Sequence, residues 1–173
     1  VVCDGFQLLK DNGIEPSIYS FENIDLRLEW FGYLLQSEED FKIYTSAISK
    51  LSALSAKNGL GRLILLKGYA AGINYPRPEH RTYGDIDVFS LDGKSDELDM
   101  LLSAYPGYEK RGEEKTRHSH ATFDGISVEN HFHFADPLGN ASRDGAVEKF
   151  LLELAGDASL HMIGEVPVYI PSA

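Results

Sequence analysis

Cysteine is almost absent from the sequence, with Cys3 the single one among 173 residues. One cysteine cannot form an internal disulfide, so the chain is not a disulfide-stapled scaffold and is compatible with a reducing cytosol. Apolar runs of membrane-spanning length are also absent, and the N-terminus lacks the basic, apolar and small-residue layout of a signal peptide. We therefore expect a cytoplasmic protein with no membrane partner.

Positively charged residues are fewer than negatively charged ones. Lys and Arg together number 16 against 27 Asp and Glu, which gives a formal net charge of −11. Phosphate backbones need a basic surface, so the charge argues against a duplex nucleic-acid partner and favours a small-molecule or metal-bridged substrate. A local basic pocket on an acidic chain can still bind a nucleotide, so phosphates are not excluded.

The first third of the chain predicts two helices. Residues 22–36 carry apolar side chains at helical spacing. A second helix is expected to begin at Ser37, because serine is a favoured capping residue and acids follow it in the first turn. Asn58-Gly59 is typical of a helix C-terminus, so we expect the second helix to end there.

The centre of the chain predicts alternating strands and helices. The apolar run at residues 63–66 fits a buried strand, which Lys67-Gly68 ends before a short helix from Tyr69 to Ile73. An amphipathic helix is expected over residues 95–105. Beyond residue 136 we expect one more helix at 144–155 and an extended segment at 166–171.

Asp85 and Asp87 lie one residue apart on an expected strand. Side chains in a strand alternate with period two, so both carboxylates should point to one side while Ile86 and Val88 face a core. Two acids held so close repel each other unless a cation lies between them, and hard oxygen ligands suit Mg²⁺ or Mn²⁺. A solvated strand end with two surface acids would give the same pattern.

Asp124-Gly125 predicts a two-residue hairpin turn between segments 115–123 and 126–134. This register pairs Phe123 with Ile126, and it sets two further pairs whose side chains are polar: His120 with Glu129, and His118 with His131. One face then holds His118, His120, Glu129, His131 and His133, and the other holds Ile126, Val128, Phe132 and Phe134. The polar set fits either a zinc site or an ordinary polar sheet face, with His120 the histidine expected to reach the site.

Three features of the sequence together fit one type of reaction. A strand that ends in a glycine and opens a helix offers backbone N–H groups to an anion. The Asp85 and Asp87 pair follows, and Glu129 adds a third acid on a further strand. Phosphoryl and nucleotidyl transfer use carboxylates to hold metal ions that activate a hydroxyl and bind a triphosphate.

The sequence also resembles a known family at these residues. The combined segments are similar to the signature of the uncharacterised nucleotidyltransferase family, within the wider DNA polymerase beta-like nucleotidyltransferase superfamily. The likeness runs from about residue 40 to residue 134. The segments that carry it are Leu66-Lys67-Gly68-Tyr69-Ala70-Ala71, Tyr75-Pro76-Arg77-Pro78, Arg81, Gly84-Asp85-Ile86-Asp87 and Val128-Glu129-Asn130-His131.

The resemblance implies a role for each matched residue. Asp85, Asp87 and Glu129 would be the catalytic and metal-binding carboxylates, with Mg²⁺ or Mn²⁺ as the cofactor. Gly68 would let the triphosphate approach the backbone, although Tyr69 replaces the serine that many superfamily members have at the next position. The full set of expected nucleotide-binding residues is Lys67, Gly68, Tyr69, Arg81, Gly84 and His120, where Arg81 is equally suited to a salt bridge.

The resemblance also implies an α+β fold, with a nucleotidyltransferase-type mixed β-sheet flanked by helices. Residues 1–60 would form a helical segment packing on the core, residues 61–136 the catalytic core, and residues 137–173 a helix and extended segment leading to a missing helical lobe. The expected activity moves a nucleoside monophosphate from an NTP to an acceptor hydroxyl, on a small molecule or protein more readily than on nucleic acid.

Two other functions remain open on the sequence alone. One is a metal-dependent hydrolase that uses the histidine-rich hairpin together with the aspartates. The other is a catalytically silent relative that binds a nucleotide or a partner protein, which the replacement of the usual serine by Tyr69 would fit.

Overall fold

A six-stranded mixed sheet is the centre of the protein. The structure is a computed structural model that describes residues 11–13, 24–109, 118–134 and 139–172. The strands are β1 (Leu63–Leu65), β2 (Ile86–Ser90), β3 (His118–Phe123), β4 (Ile126–His131), β5 (Ser159–Ile163) and β6 (Val166–Ile170). The helices are α1 (Ile24–Lys57), α2 (Lys67–Gly72), α3 (Ser95–Leu102) and α4 (Ala141–Gly156), with a 3-10 turn at Pro78–His80.

The strand order is β3-β4-β2-β1-β6-β5. Strand β2 pairs antiparallel with β1 and parallel with β4, while β1 pairs parallel with β6. The two outer pairs, β3 with β4 and β5 with β6, are antiparallel hairpins. The prediction of an α+β fold with a mixed sheet and flanking helices is therefore confirmed.

The prediction of two helices before residue 58 is wrong, because α1 runs unbroken from Ile24 to Lys57. Ser37 lies inside this helix instead of capping a new one. The side-chain amide of Gln36 donates to Oδ1 of Asp40 at 2.7 Å, an i,i+4 pair that supports the helix across the expected break. The predicted end is confirmed, since Gly59 has a positive φ of 65° just beyond the helix.

The core forms where the second half of α1 packs against the sheet. Tyr44, Ile48 and Leu51 of α1 are buried together with Ile86 and Val88 of β2. Ile86 and Val88 thus face the core, as the alternation of strand side chains predicts. Asp87 lies between them and projects to the opposite face of β2.

The C-terminal part of the chain adds a hairpin to the same sheet. Helix α4 covers the predicted helix at 144–155 and begins earlier, at Ala141, where the Asn140 side chain accepts a hydrogen bond from the N–H of Arg143. The predicted extended segment is β6, which pairs with β1. Strand β5 was not predicted. No helix in the described ranges is both long and apolar enough to cross a membrane.

Candidate functional site

Asp87 is a buried carboxylate with two hydrogen-bond partners. Nζ of Lys67 and Nε2 of His131 each lie 2.8 Å from its Oδ1. Burial alone would raise the pKa of the Asp87 carboxyl, but the hydrogen bonds from His131 and Lys67 outweigh it and hold that pKa below its ordinary value. The carboxylate is therefore charged at neutral pH.

Glu129 lies directly beside Asp87 on the neighbouring strand. The two residues are Cα partners in the parallel pairing of β2 and β4. Oε2 of Glu129 is 3.4 Å from Nε2 of His131, which also contacts Asp87. Burial raises the pKa of the Glu129 carboxyl, and the charges on Asp85 and Asp87 raise it further. This part of the site thus concentrates negative charge.

Asp85 lies one residue before β2 and is anchored by its backbone. Its carbonyl oxygen accepts a hydrogen bond of 2.9 Å from the hydroxyl of Tyr44. Its half-buried side chain has no hydrogen-bond or ion-pair partner among the residues that the structure describes. Asp85 acts on Glu129 through its charge, so the three predicted carboxylates share one electrostatic environment.

The turn at Lys67 and Gly68 lies at the end of β1, next to the aspartates. Lys67 has a φ of 24° and Gly68 a φ of 27°, both in the left-handed region. A Cβ atom at position 68 would lie 2.6 Å from the Tyr44 hydroxyl. The glycine is therefore required here by the close approach of Tyr44. Helix α2 spans Lys67–Gly72, but the backbone of Gly68 is non-helical (φ 27°, ψ −103°), so the regular part of the helix begins after this turn, at the predicted Tyr69.

Arg81 holds the Gly68 turn in place. Its Nη1 donates a hydrogen bond of 2.7 Å to the Gly68 carbonyl. Its guanidinium also lies over the rings of Tyr75 and Tyr83, at 5.8 and 5.1 Å from their centroids. In the described part of the chain, Arg81 does not form the salt bridge that was one of its two expected roles.

Tyr69 and Gly84 complete the set of expected nucleotide-binding residues. The Tyr69 side chain belongs to the hydrophobic core, so only its backbone can face a ligand at the turn. Gly84 is exposed, and a Cβ atom there would meet nothing within 4 Å. The local structure therefore gives no steric reason for a glycine at position 84.

The histidine-rich hairpin has the predicted register. His118 pairs with His131, His120 with Glu129, and Phe123 with Ile126. Nε2 of His118 and Nδ1 of His120 each lie 3.7 Å from Oε1 of Glu129. Burial, followed by the neighbouring His120, lowers the pKa of the His118 imidazole.

One histidine does not join the predicted face. Strand β4 ends at His131, so His133 falls outside the ladder that the prediction extended to residue 134. Nδ1 of His133 instead lies 3.6 Å from Glu148 of α4. Phe134 stays close to the sheet, with its ring centroid 4.2 Å from that of Phe89. Residues 115–117 of the predicted first strand lie outside the described residues.

The side chains of this region fit a divalent cation. Within the described residues, Asp87, Glu129 and His131 each offer a ligand atom, and these atoms lie within 4.8 Å of one another. Carboxylate oxygens suit Mg²⁺ and Mn²⁺. The Lys67 ammonium already contributes positive charge at Asp87, and Asp85 is not one of the residues whose ligand atoms cluster in this way.

Sequence reasoning missed two residues of the site. The hairpin pattern makes His131 one of several similar histidines, yet it is buried and bonds directly to Asp87. Helical spacing makes Tyr44 a core residue. Its hydroxyl nevertheless donates a hydrogen bond to the Asp85 carbonyl, and it fills the position that a side chain at residue 68 would need. The i,i+2 spacing of Glu129 and His131 was a usable signal for the first, whereas nothing in the sequence pointed to the second.

Comparison with known protein families, with curated proteins and with solved structures finds no match for this chain. The arrangement of its side chains is therefore what indicates the function of the site.

Proposed function

We propose that the protein is a metal-dependent nucleotidyltransferase, which moves a nucleoside monophosphate from an NTP to an acceptor hydroxyl. The observation that carries the proposal is the pairing of Asp87 with Glu129 across β2 and β4, with Asp85 beside them. The Lys67–Gly68 turn lies next to these acids, because Lys67 bonds to Asp87 and the Leu66 N–H donates to the Asp87 carbonyl.

Asp85, Asp87 and Glu129 would hold Mg²⁺ or Mn²⁺ in this reaction. The bound ion supplies positive charge that binds the triphosphate and stabilises the charge of the transition state. In the transfer, the acceptor oxygen forms a bond to the α-phosphorus while the bond to the pyrophosphate oxygen breaks. We also propose that the six-stranded mixed sheet is of the nucleotidyltransferase type.

Lys67 and Glu129 would have further roles. Lys67 carries an exposed ammonium group beside Asp87, from which it can reach a phosphate oxygen of the triphosphate. Glu129 is the carboxylate whose pKa is raised, and a base of higher pKa accepts a proton more readily. Glu129 would therefore either complete the metal site or take the proton of the acceptor hydroxyl.

The charge of the chain limits the acceptor. A net charge of −11 repels nucleic-acid backbones, so we favour a small molecule or a protein side chain as the acceptor. A cytoplasmic location is part of the same proposal and rests on the single cysteine.

The proposal is tested by calorimetric titration of the protein with each NTP in the presence of Mg²⁺. We expect binding by the wild type and none by Asp85→Asn. This substitution is informative because the Asp85 carboxylate has no partner within the described residues, so an amide should leave the fold unchanged.

Asp96→Asn is the matched control. Asp96 is an exposed acid in the first turn of α3, so its substitution removes the same charge without changing the Asp85, Asp87 or Glu129 carboxylates. Binding should survive in this variant. A folded wild-type protein that binds no NTP would overturn the proposal, and so would equal binding by Asp85→Asn.

A further inference from the structure

We propose that His118, His120 and Glu129 form a second metal site, selective for a transition-metal ion of the Zn²⁺ class. This site is distinct from the carboxylate site at Asp85 and Asp87, with which it shares Glu129. The proposal of a second site does not depend on nucleotidyl transfer, because the hairpin alone brings its three ligands together.

The distances in this group match ligands around one ion better than hydrogen bonds. Nε2 of His118 and Nδ1 of His120 are each 3.7 Å from Oε1 of Glu129, and each of the three side chains has a ligand atom within 4.8 Å of those of the other two. Hydrogen bonds to nitrogen are about 2.7–3.2 Å long. Neighbouring ligands on a tetrahedral zinc ion with bonds of about 2.0–2.1 Å are roughly 3.4 Å apart, so a small side-chain movement would close the site.

The two imidazole rings contact each other at 4.6 Å between centroids, and the His118 ring lies 5.1 Å from that of His131. Neither ring forms a hydrogen bond in the described part of the protein, and Nδ1 of His118 is buried without a partner there. Both rings nevertheless keep a route to solvent, with the His118 and His120 side chains 28% and 37% exposed. Imidazole nitrogen is a ligand that zinc prefers and magnesium does not, so this donor set differs in selectivity from the carboxylates.

The backbone fixes the three ligands in position. His118 and His120 are two residues apart on β3, so their side chains leave the same face of the strand. Glu129 is the direct cross-strand partner of His120, and the other edge of His120 pairs with Glu109. Ligands on a rigid strand pair need little rearrangement to bind an ion.

Glu129 connects the two sites through its two oxygens. Its Oε1 faces His118 and His120, whereas its Oε2 faces His131, which bonds to Asp87. A carboxylate in this position can bridge two ions, and ions in two-metal centres are about 3.5–4 Å apart. The geometry therefore points to a mixed centre in which the histidines take the softer ion.

The experiment is a calorimetric titration of the metal-free full chain with Zn²⁺, with Co²⁺ absorption as a second measurement of coordination geometry. We expect one Zn²⁺ ion per chain at this site and a Co²⁺ spectrum typical of four nitrogen and oxygen ligands, with a water molecule added to the three side chains. The double substitution His118→Ala and His120→Ala should weaken Zn²⁺ binding by more than the roughly 10–100-fold cost of losing an outer-shell partner.

Two control variants distinguish Zn²⁺ binding at this site from binding elsewhere on the chain. His133→Ala removes a histidine that follows the same hairpin but contacts Glu148, so Zn²⁺ binding should be unchanged. Asp85→Asn should abolish NTP binding and leave Zn²⁺ binding intact, so failure of the nucleotidyltransferase proposal and failure of the zinc site are distinguishable. Circular dichroism establishes that each variant is folded, and His120→Asn replaces the double variant if that one does not fold.

Three results would overturn the proposal. The first is a folded wild-type protein that binds no Zn²⁺. The second is undiminished Zn²⁺ binding in the histidine variants. The third is an equal loss in His133→Ala, which would show nonspecific binding to surface histidines.

Discussion

Nε2 of His131 lies 2.8 Å from Oδ1 of Asp87, and both side chains are buried. The Lys67 ammonium reaches the same oxygen from the solvent side. The Asp87 carboxylate is thus oriented by two donors from two other segments of the chain, before any ion or substrate arrives. The contact with Lys67 is the more exposed of the two, and so is the one that a cation would displace more easily.

Gly68→Ala should destabilise the protein by about 1–3 kcal/mol, the usual cost of a strained backbone residue. The new methyl group would lie 2.6 Å from the Tyr44 hydroxyl and would disturb its bond to the Asp85 carbonyl. Urea unfolding measures the change in the free energy of unfolding. Gly84→Ala, where a Cβ meets nothing within 4 Å, is the control and should change it little. Equal stability of the two variants would contradict the prediction.

Glu129→Gln should become more stable relative to the wild type as the pH rises. The pKa of Glu129 is raised in the folded protein, so its contribution to stability is fully present below the ordinary value of 4.5 and is lost as the pH rises through the folded pKa. Glutamine does not titrate, so the variant does not lose this stability as the pH rises. The measurement is urea unfolding at a series of pH values with a chelator present, and a difference that stays constant above pH 4.5 would refute it.

Asp87→Asn should show the opposite pH dependence. The pKa of Asp87 is lowered in the folded protein, so its contribution to stability is present above the ordinary value of 3.8 and is lost as the pH falls through the folded pKa. Loss of charged hydrogen bonds to His131 and Lys67 should cost about 2–3 kcal/mol near neutral pH. That deficit should shrink in acid, and the same unfolding series would measure it. A deficit that grows as the pH falls below 3.8 would exclude this account.

Lys67→Met should tighten the binding of Mn²⁺ in the absence of nucleotide. The Lys67 ammonium occupies Oδ1 of Asp87, so it competes with a metal ion for that oxygen. Electron paramagnetic resonance of free Mn²⁺ gives the affinity, and we expect a gain of several-fold. Lys50→Met is the control, because Lys50 pairs with Asp124 at 2.6 Å on the hairpin turn. Weaker Mn²⁺ binding in Lys67→Met would show that the ammonium does not compete.

Arg81→Lys should loosen the turn at Gly68. Lysine cannot reproduce the planar contact over Tyr75 and Tyr83 while donating to the Gly68 carbonyl. Losing that hydrogen bond should lower the free energy of local opening by about 0.5–1.5 kcal/mol. Hydrogen exchange at residues 67–69 reports the change. Arg62→Lys, at an exposed pair with Asp92, should leave the exchange at these residues unaltered.

The hairpin register could be predicted because the turn sets it. Asp124-Gly125 leaves two residues between the strands, so Phe123 must face Ile126 and every later pair follows. Helix α1 was harder, because Ser37 and the acids after it are compatible with either a helix start or a helix interior. Tertiary packing and local pairs such as Gln36 with Asp40 favour the continuous helix.

The neighbour of β2 could not be predicted from the sequence. Local patterns placed Asp87 on one strand and Glu129 on another, but no turn connects those strands directly. The two strands are separated in the sequence by α3 and β3. Their parallel pairing therefore depends on long-range packing. The contact between His131 and Asp87 depends on the same pairing, which is why it was missed.

Asp87 and His131 are 44 residues apart in the sequence, so the unfolded chain does not hold them together. A ligand that needs both Asp87 and Glu129 can therefore bind only the native state, and it stabilises that state by about 2.7 kcal/mol at roughly 100 times its dissociation constant. The melting temperature of the protein should therefore rise as a larger fraction of the site is occupied. A thermal-shift screen of hydroxyl compounds, run with Mg²⁺ and a non-hydrolysable NTP, could identify the acceptor before any turnover assay exists.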